Sequence, residues 1–351
     1  MKKNIFFTKL LQWEYWPSFM FYAPIIPYWL YLSVKAKSFT FWDATNPMIH
    51  RSGNGTESKY ETIKLIPEKY RPKTILAKKN TSFVTVKTAL TEADIAFPLI
   101  AKPDIGFRGL LVSKIDNLEG LEKYLKKYPL DFIIQELITY PNEMGVLYYR
   151  MPNTDKGEIT SITVKEFLTV IGDGVHNLLE LITNNTRAFL YLSYIKETGI
   201  DLNRIPQKNE EVRLLNIGNH CKGARFLNGN HLINEKLTKV LDSINAEIPD
   251  WYYGRLDVRY NSLEEFKQGL AFKILEINGV ISEPTHIYDA SVKTMSYFKA
   301  VRTIKGHWQI IYKIAMYNIS TRQLKTPSLK QALGEISRLK KYTKKITKLA
   351  Q

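Results

Sequence analysis

Cysteine is all but absent from this chain. Cys221 is the only one in 351 residues, which excludes an internal disulfide framework and points away from an oxidising compartment. A cytoplasmic protein is expected. Acidic residues are in deficit, with 34 Asp and Glu against 50 Lys and Arg and a net charge of +16. That surplus suggests acidic partners such as nucleotide phosphates, anionic lipid headgroups or nucleic acid, although most single lysines read as solvated surface. No nucleic-acid recognition module accompanies the charge, so no nucleic acid is expected. Internal repeats and low-complexity tracts are lacking too. A nucleophile–base pair is also missing. His220 and Cys221 are adjacent, and neighbours on an extended chain point to opposite sides.

Long apolar runs are scarce. The best is "WPSFMFYAPIIPYWLYLSV", residues 16–34, which carries no charge and nearly reaches the ~20 residues of a spanning helix. Pro17, Pro24 and Pro27 interrupt it, its Trp and Tyr suit interfaces, and no A-x-A cleavage pattern follows, which argues against a signal peptide. Three roles remain open: an interfacial or re-entrant membrane contact, a buried packing element, or a span. The basic C-terminal stretch adds Arg338, Lys340, Lys341, Lys344, Lys345 and Lys348. Near an anionic bilayer each is worth about 1 kcal/mol at best. A peripheral place at the inner face of a membrane is therefore an expectation, beside that of a solvated helix.

What the chain does have is enough length and apolar content for two or three subdomains, at 44% hydrophobic and 24% charged residues. The passage "HRSGNGTESKYET" (50–62) reads as a loop or mobile connector. "KTILAKK" and "SFVTVKTAL" carry short β-rich runs, and "FPLIAKP" is an apolar strand stopped by proline. "SKIDNLEGLEKYLKKY" has helical spacing, and "DFIIQELI" is a buried strand. "EITSITVKEFLTVIGDGVHNLLELI" reads as strand, Asp-Gly turn and helix. "EKLTKVLDSINAEI" is an amphipathic helix, and the chain beyond Asp289 is helical. The fold class expected is α+β.

Two strands carry chemistry. In "YGRLDVRY" (253–260), Leu256 and Val258 share one face while Arg255, Asp257 and Arg259 share the other. In "FKILEINGV" (272–280), Glu276 and Asn278 share a face and Leu275 and Ile277 pack on the opposite one. Were the strands neighbours, Asp257, Glu276 and Asn278 would converge as hard oxygen ligands beside Arg255, a set suited to Mg²⁺. Two separately solvated charged faces give the same spacing.

The pair "GRLDVRY…KILEING" resembles the metal-binding end of the ATP-grasp ligases, the superfamily of D-alanine–D-alanine ligase, the glutathione synthetases and cyanophycin synthetase. "FPLIAKPDIGFRG", "FIIQELITYPNEMGVLYYR" and "GDGVHNLLELI" resemble further segments of that family in its order, covering roughly residues 70–290. The resemblance implies an ATP-grasp fold of two α+β lobes clasping ATP, with ATP and Mg²⁺ (or Mn²⁺) as cofactors. Asp257, Glu276 and Asn278 would hold metal, and Arg255 and Lys165 would serve catalysis. Lys102, with Gly106, Arg108 and Gly109 on its loop, would grip phosphates. Gln135, Glu136 and Ile138 would form the adenine hinge and Glu143 would meet the ribose. Lys73 is a second phosphate lysine, with Lys78 and Lys79 as competitors. Asn219, Lys222 and Arg225 would line the phosphate or carboxylate site. Glu283 and His286 face either the acceptor site or a turn.

The implied activity is an ATP-dependent carboxylate–amine ligation through an acyl phosphate, on small-molecule or peptide substrates. A membrane-surface ATP-binding protein of the same fold without turnover is the alternative. The expected division is 1–70 as an atypical N-terminal region, 71–290 as the nucleotide and catalytic region, and 291–351 as a basic helical region. The N-terminal part does not look like the Rossmann-like lobe that precedes the nucleotide domain in peptide ligases, which leaves the carboxylate substrate open.

Overall fold

The computed structural model describes residues 13, 16–106, 109–215, 223–289 and 295–349. Strands β1 (Thr74–Ala77), β2 (Leu99–Pro103), β3 (Ser113–Ile115) and β4 (Phe132–Glu136) form a sheet in the order β1-β4-β2-β3. A second sheet joins β5 (Asn142–Arg150), β6 (Gly157–Glu166), β9 (Arg225–Asn228), β10 (Tyr253–Tyr260) and β11 (Phe272–Asn278) in the order β11-β10-β5-β6-β9. β7 (Thr169–Ile171) and β8 (Glu211–Arg213) pair by themselves. The pairings described are antiparallel, and with the helices they make an α+β fold.

Each large sheet has its own core. Val86, Leu90 and Leu121, from two covering helices, pack on Leu99, Ala101 and Ile134 of the first sheet. Leu237, Leu241 and Ile244 pack on Met144, Val146, Ile162 and Val258 of the second. Two helices depart from the sequence reading. The β-rich run "SFVTVKTAL" is a helix, Phe83–Glu92. Ser82 caps it by accepting from the Thr85 amide at 3.1 Å, and Val86 and Leu90, four residues apart, bury one face. That packing outweighs the local preference of its Val and Thr residues. The helical stretch 113–128 begins instead as β3, and its helix, Leu118–Lys127, starts after the Asn117 cap.

Before Thr74 the described residues form helices and turns, without a strand. Within 16–34, Phe21, Ile25 and Leu32 are buried, packed with residues of the long helix Tyr297–Thr321, while Phe19, Met20, Ile26, Tyr31 and Val34 are exposed. The segment is thus a packing element with an uncovered apolar side. Among the described residues no helix is long and apolar enough to cross a membrane. The basic helix Leu329–Leu349 buries Ala332 and Ile346.

Two buried histidines make this packing sensitive to acid. His286 Nδ1 lies 2.7 Å from Ser161 Oγ, and His307 Nδ1 lies 3.2 Å from the Tyr253 hydroxyl. Burial, with Lys299 nearby, lowers His286 to about 4, and burial, with His286 nearby, lowers His307 to about 4. An unfolded histidine titrates near 6.5. Between those values the unfolded chain takes up protons that the folded chain refuses, so this stability is complete above pH 6.5 and is lost as pH falls towards 4. Up to roughly 3 kcal/mol per histidine is at stake. Urea midpoints should fall between pH 7 and 5, less steeply for His307→Gln. An unchanged slope in that variant would show that His307 is not a source of it.

Candidate active site

β10 and β11 pair with Arg255 opposite Asn278 and Asp257 opposite Glu276. A bulge between Asp257 and Val258 skips Leu275, so Val258 faces Ile274. Strict alternation assigned Leu275 to the packed side. With the bulge, Ile274 and Ile277 are buried while Leu275 and Glu276 both reach a cleft. On the other flank of β10, β5 sets Glu143 opposite Arg259 and Gly145 opposite Asp257. Gly145 keeps that place open, because a Cβ would lie 3.0 Å from Arg255 Cδ and 3.3 Å from Asp257 Oδ1.

The cleft holds about 720 Å³ between this face and the β2–β4 side of the first sheet, within the range of nucleotide- and drug-sized sites. Ion pairs organise its floor. Lys165 Nζ lies 2.9 Å from Glu143 Oε1 and 3.3 Å from Asp257 Oδ1. Arg255 Nε donates to Asp257 Oδ1 at 2.9 Å, and Arg259 Nε donates to Glu143 Oε2 at 3.1 Å. Lys59 pairs with Glu276. Lys102 Nζ has only long contacts, 3.3 Å to Gln135 Oε1 and 3.4 Å to the Leu275 carbonyl.

The charges follow from these neighbours. Burial would raise Asp257, but Arg255 and Lys165 outweigh it and hold the carboxyl low. Burial would likewise raise Glu276, and Lys59 and Lys102 reverse it. Burial lowers Lys102 to about 8 despite the opposing pull of Glu276. Asp257 and Glu276 therefore present ionised oxygens, and Lys102 has no ion pair among the described residues.

Of the residues singled out in the sequence, Lys102, Gly106, Gly109, Gln135, Glu136, Ile138, Glu143, Lys165, Arg255, Asp257, Glu276 and Asn278 all line this cleft. Glu143 is buried, with one oxygen on Lys165 and the other on Arg259. Lys73 is not among the lining residues and pairs with Asp94 at 2.5 Å on the outer surface. Arg225 is likewise outside, held by Glu166 at 2.8 Å. Arg108, Asn219, His220, Cys221 and Lys222 lie outside the described residues. Glu283 lines the cleft, whereas His286 is buried against Ser161.

The sequence reading missed Gly55, Glu57 and Lys59. They form a cleft wall from the stretch read as a connector. Gly53, at φ +76°, fits directly against Gly279, where a Cβ would approach the Gly279 Cα to 2.6 Å. A turn-rich "SGNGTESK" next to a charged helix start was the available signal, but nothing local tied it to a strand more than 200 residues away.

The donor set suits Mg²⁺. Two facing carboxylates and one amide are hard ligands, and Mg²⁺ is commonly held by one or two carboxylates together with substrate phosphates and water. Asn278 Nδ2 is buried without a protein hydrogen-bond partner, a donor open to a ligand oxygen. Among the described residues no group of three or more His, Cys, Asp or Glu forms a complete protein cage.

No protein-family model and no curated protein matches the chain. Solved structures similar to it include a bifunctional glutathione synthetase from Pasteurella multocida, at 17% identity and a TM-score of 0.37, covering 70% of this chain and 35% of that one. The VanG D-Ala:D-Ser ligase from Enterococcus faecalis is 13% identical, with a TM-score of 0.40 and coverage of 72% and 62%. A D-alanine–D-alanine ligase from Bacillus anthracis is 11% identical, with a TM-score of 0.41 and coverage of 76% and 70%. The chain spans about a third of the length of the glutathione synthetase.

Proposed function

We propose that the chain is an ATP-dependent carboxylate–amine ligase of ATP-grasp type. The observation that carries this reading is the β10–β11 register. It sets Arg255, Asp257, Glu276 and Asn278 side by side in a cleft with Lys102 and Lys165. The triphosphate enters along Lys102, whose ammonium is free to take phosphate oxygens in place of its long contacts. Asp257, Glu276 and Asn278 would hold Mg²⁺, which supplies charge neutralisation to the phosphates. The substrate carboxylate attacks the γ-phosphorus, the bond to ADP breaks, and an acyl phosphate forms. Lys165 and Arg255 line the region where negative charge accumulates, so electrostatics and positioning carry the rate. The amine, in its neutral form after any extra proton has passed to solvent, then attacks the acyl carbon and a C–N bond forms. Phosphate leaves with the electron pair and takes up the proton that the nitrogen sheds. The oxyanion formed on the way is stabilised by Arg255.

The test is phosphate release from ATP with Mg²⁺, screened against pools of carboxylates and amines. Release that requires one member of each pool is expected. ATP binding without release against any pool would instead favour a nucleotide-binding protein that turns nothing over. Lys102→Ala should weaken ATP binding by about ten- to a hundredfold, the worth of one or two charge-assisted hydrogen bonds. An unchanged ATP affinity would move the phosphate grip elsewhere.

A further inference from the structure

Register orders the cleft from end to end. Arg259 pairs with Glu143 beside Ile138, whose carbonyl accepts from Arg259 Nη1 at 2.7 Å. Four residues back along β10, roughly 13 Å away, Arg255 pairs with Leu147 on one side and Asn278 on the other. The chain leaving β11 stays at that end, since the Arg255 amide donates to Ser282 Oγ at 3.1 Å. The next residue, Glu283, lines the same cleft, beyond the Asp257–Glu276 pair as counted from the hinge.

Glu283 differs from the three carboxylates of the β5, β10 and β11 face, Glu143, Asp257 and Glu276. Tyr288 donates its hydroxyl to Oε2 at 2.9 Å, and the Tyr22 hydroxyl holds Oε1. Both anchors are neutral. Asp257, Glu276 and Glu143 each have a cationic side chain in contact. Among the described residues no ion pair reaches Glu283, and burial pushes its carboxyl up to about 7. Two tyrosines fix its direction without neutralising it. Ile281 and Phe226 line the same cleft and offer apolar surface.

We propose that Glu283 is the recognition group for the acyl acceptor, and that the acceptor enters as a primary ammonium rather than as an alcohol or thiol. This rests on the ligase reading for what the ammonium does next, but not for its binding. A cation at this position supplies the charge partner that the protein withholds, and an uncharged hydroxyl isostere does not. Tyr22 and Tyr288 act as positioning residues that keep the carboxylate aimed into the cleft.

The probe is n-propylammonium, with 1-propanol as the uncharged isostere, titrated into full-length protein with ATP and Mg²⁺ present and followed by NMR. Propylammonium should bind at least tenfold more tightly than propanol. The preference should vanish in Glu283→Gln and persist in Asp173→Asn, a charge removal outside the cleft. The ATP-dependent rise in melting temperature reports that each variant is folded. Equal binding of the two probes, or a preference retained in Glu283→Gln, would overturn the proposal. An ammonium preference that depends on Glu283, in a protein that releases no phosphate with any pool, would sustain it and overturn the ligase reading alone.

Discussion

Glu276→Gln should lower ATP-dependent phosphate release by two to three orders of magnitude, on the scale of removing one preorganised electrostatic group. The substitution keeps the shape of the side chain and removes the ionised oxygens that face Asp257 across the β10–β11 ladder. It should also abolish the rise in melting temperature that Mn²⁺ gives in the presence of ATP. The fold should survive with a moderate loss. The Lys59 and Glu276 side chains are only 20% and 25% exposed, so leaving the Lys59 ammonium without its carboxylate costs about 1–3 kcal/mol. Near-normal phosphate release from the variant, or unaltered Mn²⁺ stabilisation, would remove Glu276 from the metal site and the β10–β11 face from the chemistry.

The largest expected loss of stability lies elsewhere. Asn46 is fully buried, and its side chain serves the main chain at four points. Oδ1 accepts from the amides of Tyr252 at 2.8 Å and Tyr253 at 3.0 Å. Nδ2 donates to the carbonyls of Tyr253 at 2.8 Å and Ser52 at 3.1 Å. Asn46→Ala strands those groups where water is excluded, at about 1–3 kcal/mol for each one left unsatisfied. A total of roughly 4 kcal/mol is expected, which is a large part of the stability of an ordinary domain. Urea unfolding monitored by tryptophan fluorescence would measure it. A loss below about 1 kcal/mol would mean that the start of β10 finds other partners and is not held by this amide.

Asn46 also marks the limit of what the sequence reveals. β10 and β11 were legible because strand alternation sorts Arg255, Asp257 and Arg259 from Leu256 and Val258 over a short distance. The Leu275 bulge was not legible, since one extra residue leaves no mark in the pattern of apolar and charged positions. The helix Phe83–Glu92 was hidden by its Val and Thr residues, although Ser82 announced its start. Lys102 could be placed from "LIAKP", a strand cut short by proline. Lys73 and Arg225 looked equally suitable as cations, and only the folded chain separates them, each turned outward onto a carboxylate. Lys59 and Glu57 were illegible for a different reason. Their role depends on contacts across more than 200 residues, and no local periodicity encodes those.

The close fit of Gly53 on Gly279 has a consequence for how this protein comes to be folded. One wall of the cleft is made by residues 53–59 and the opposing floor by residues 255–283, so the cleft closes only by a loop spanning most of the chain. Closing so long a loop costs entropy that grows slowly with its length, but contacts of this sequence separation slow folding. During synthesis the first wall waits, without its counterpart, until β11 has left the ribosome. The first sheet, whose core lies within residues 77–134, can form early, whereas the core of the second joins Ile49, Ile63 and Ile66 to Leu256, Val258, Ile274 and Ile277. Completion of the second core and assembly of the site are therefore expected together, as the last and slowest event in folding.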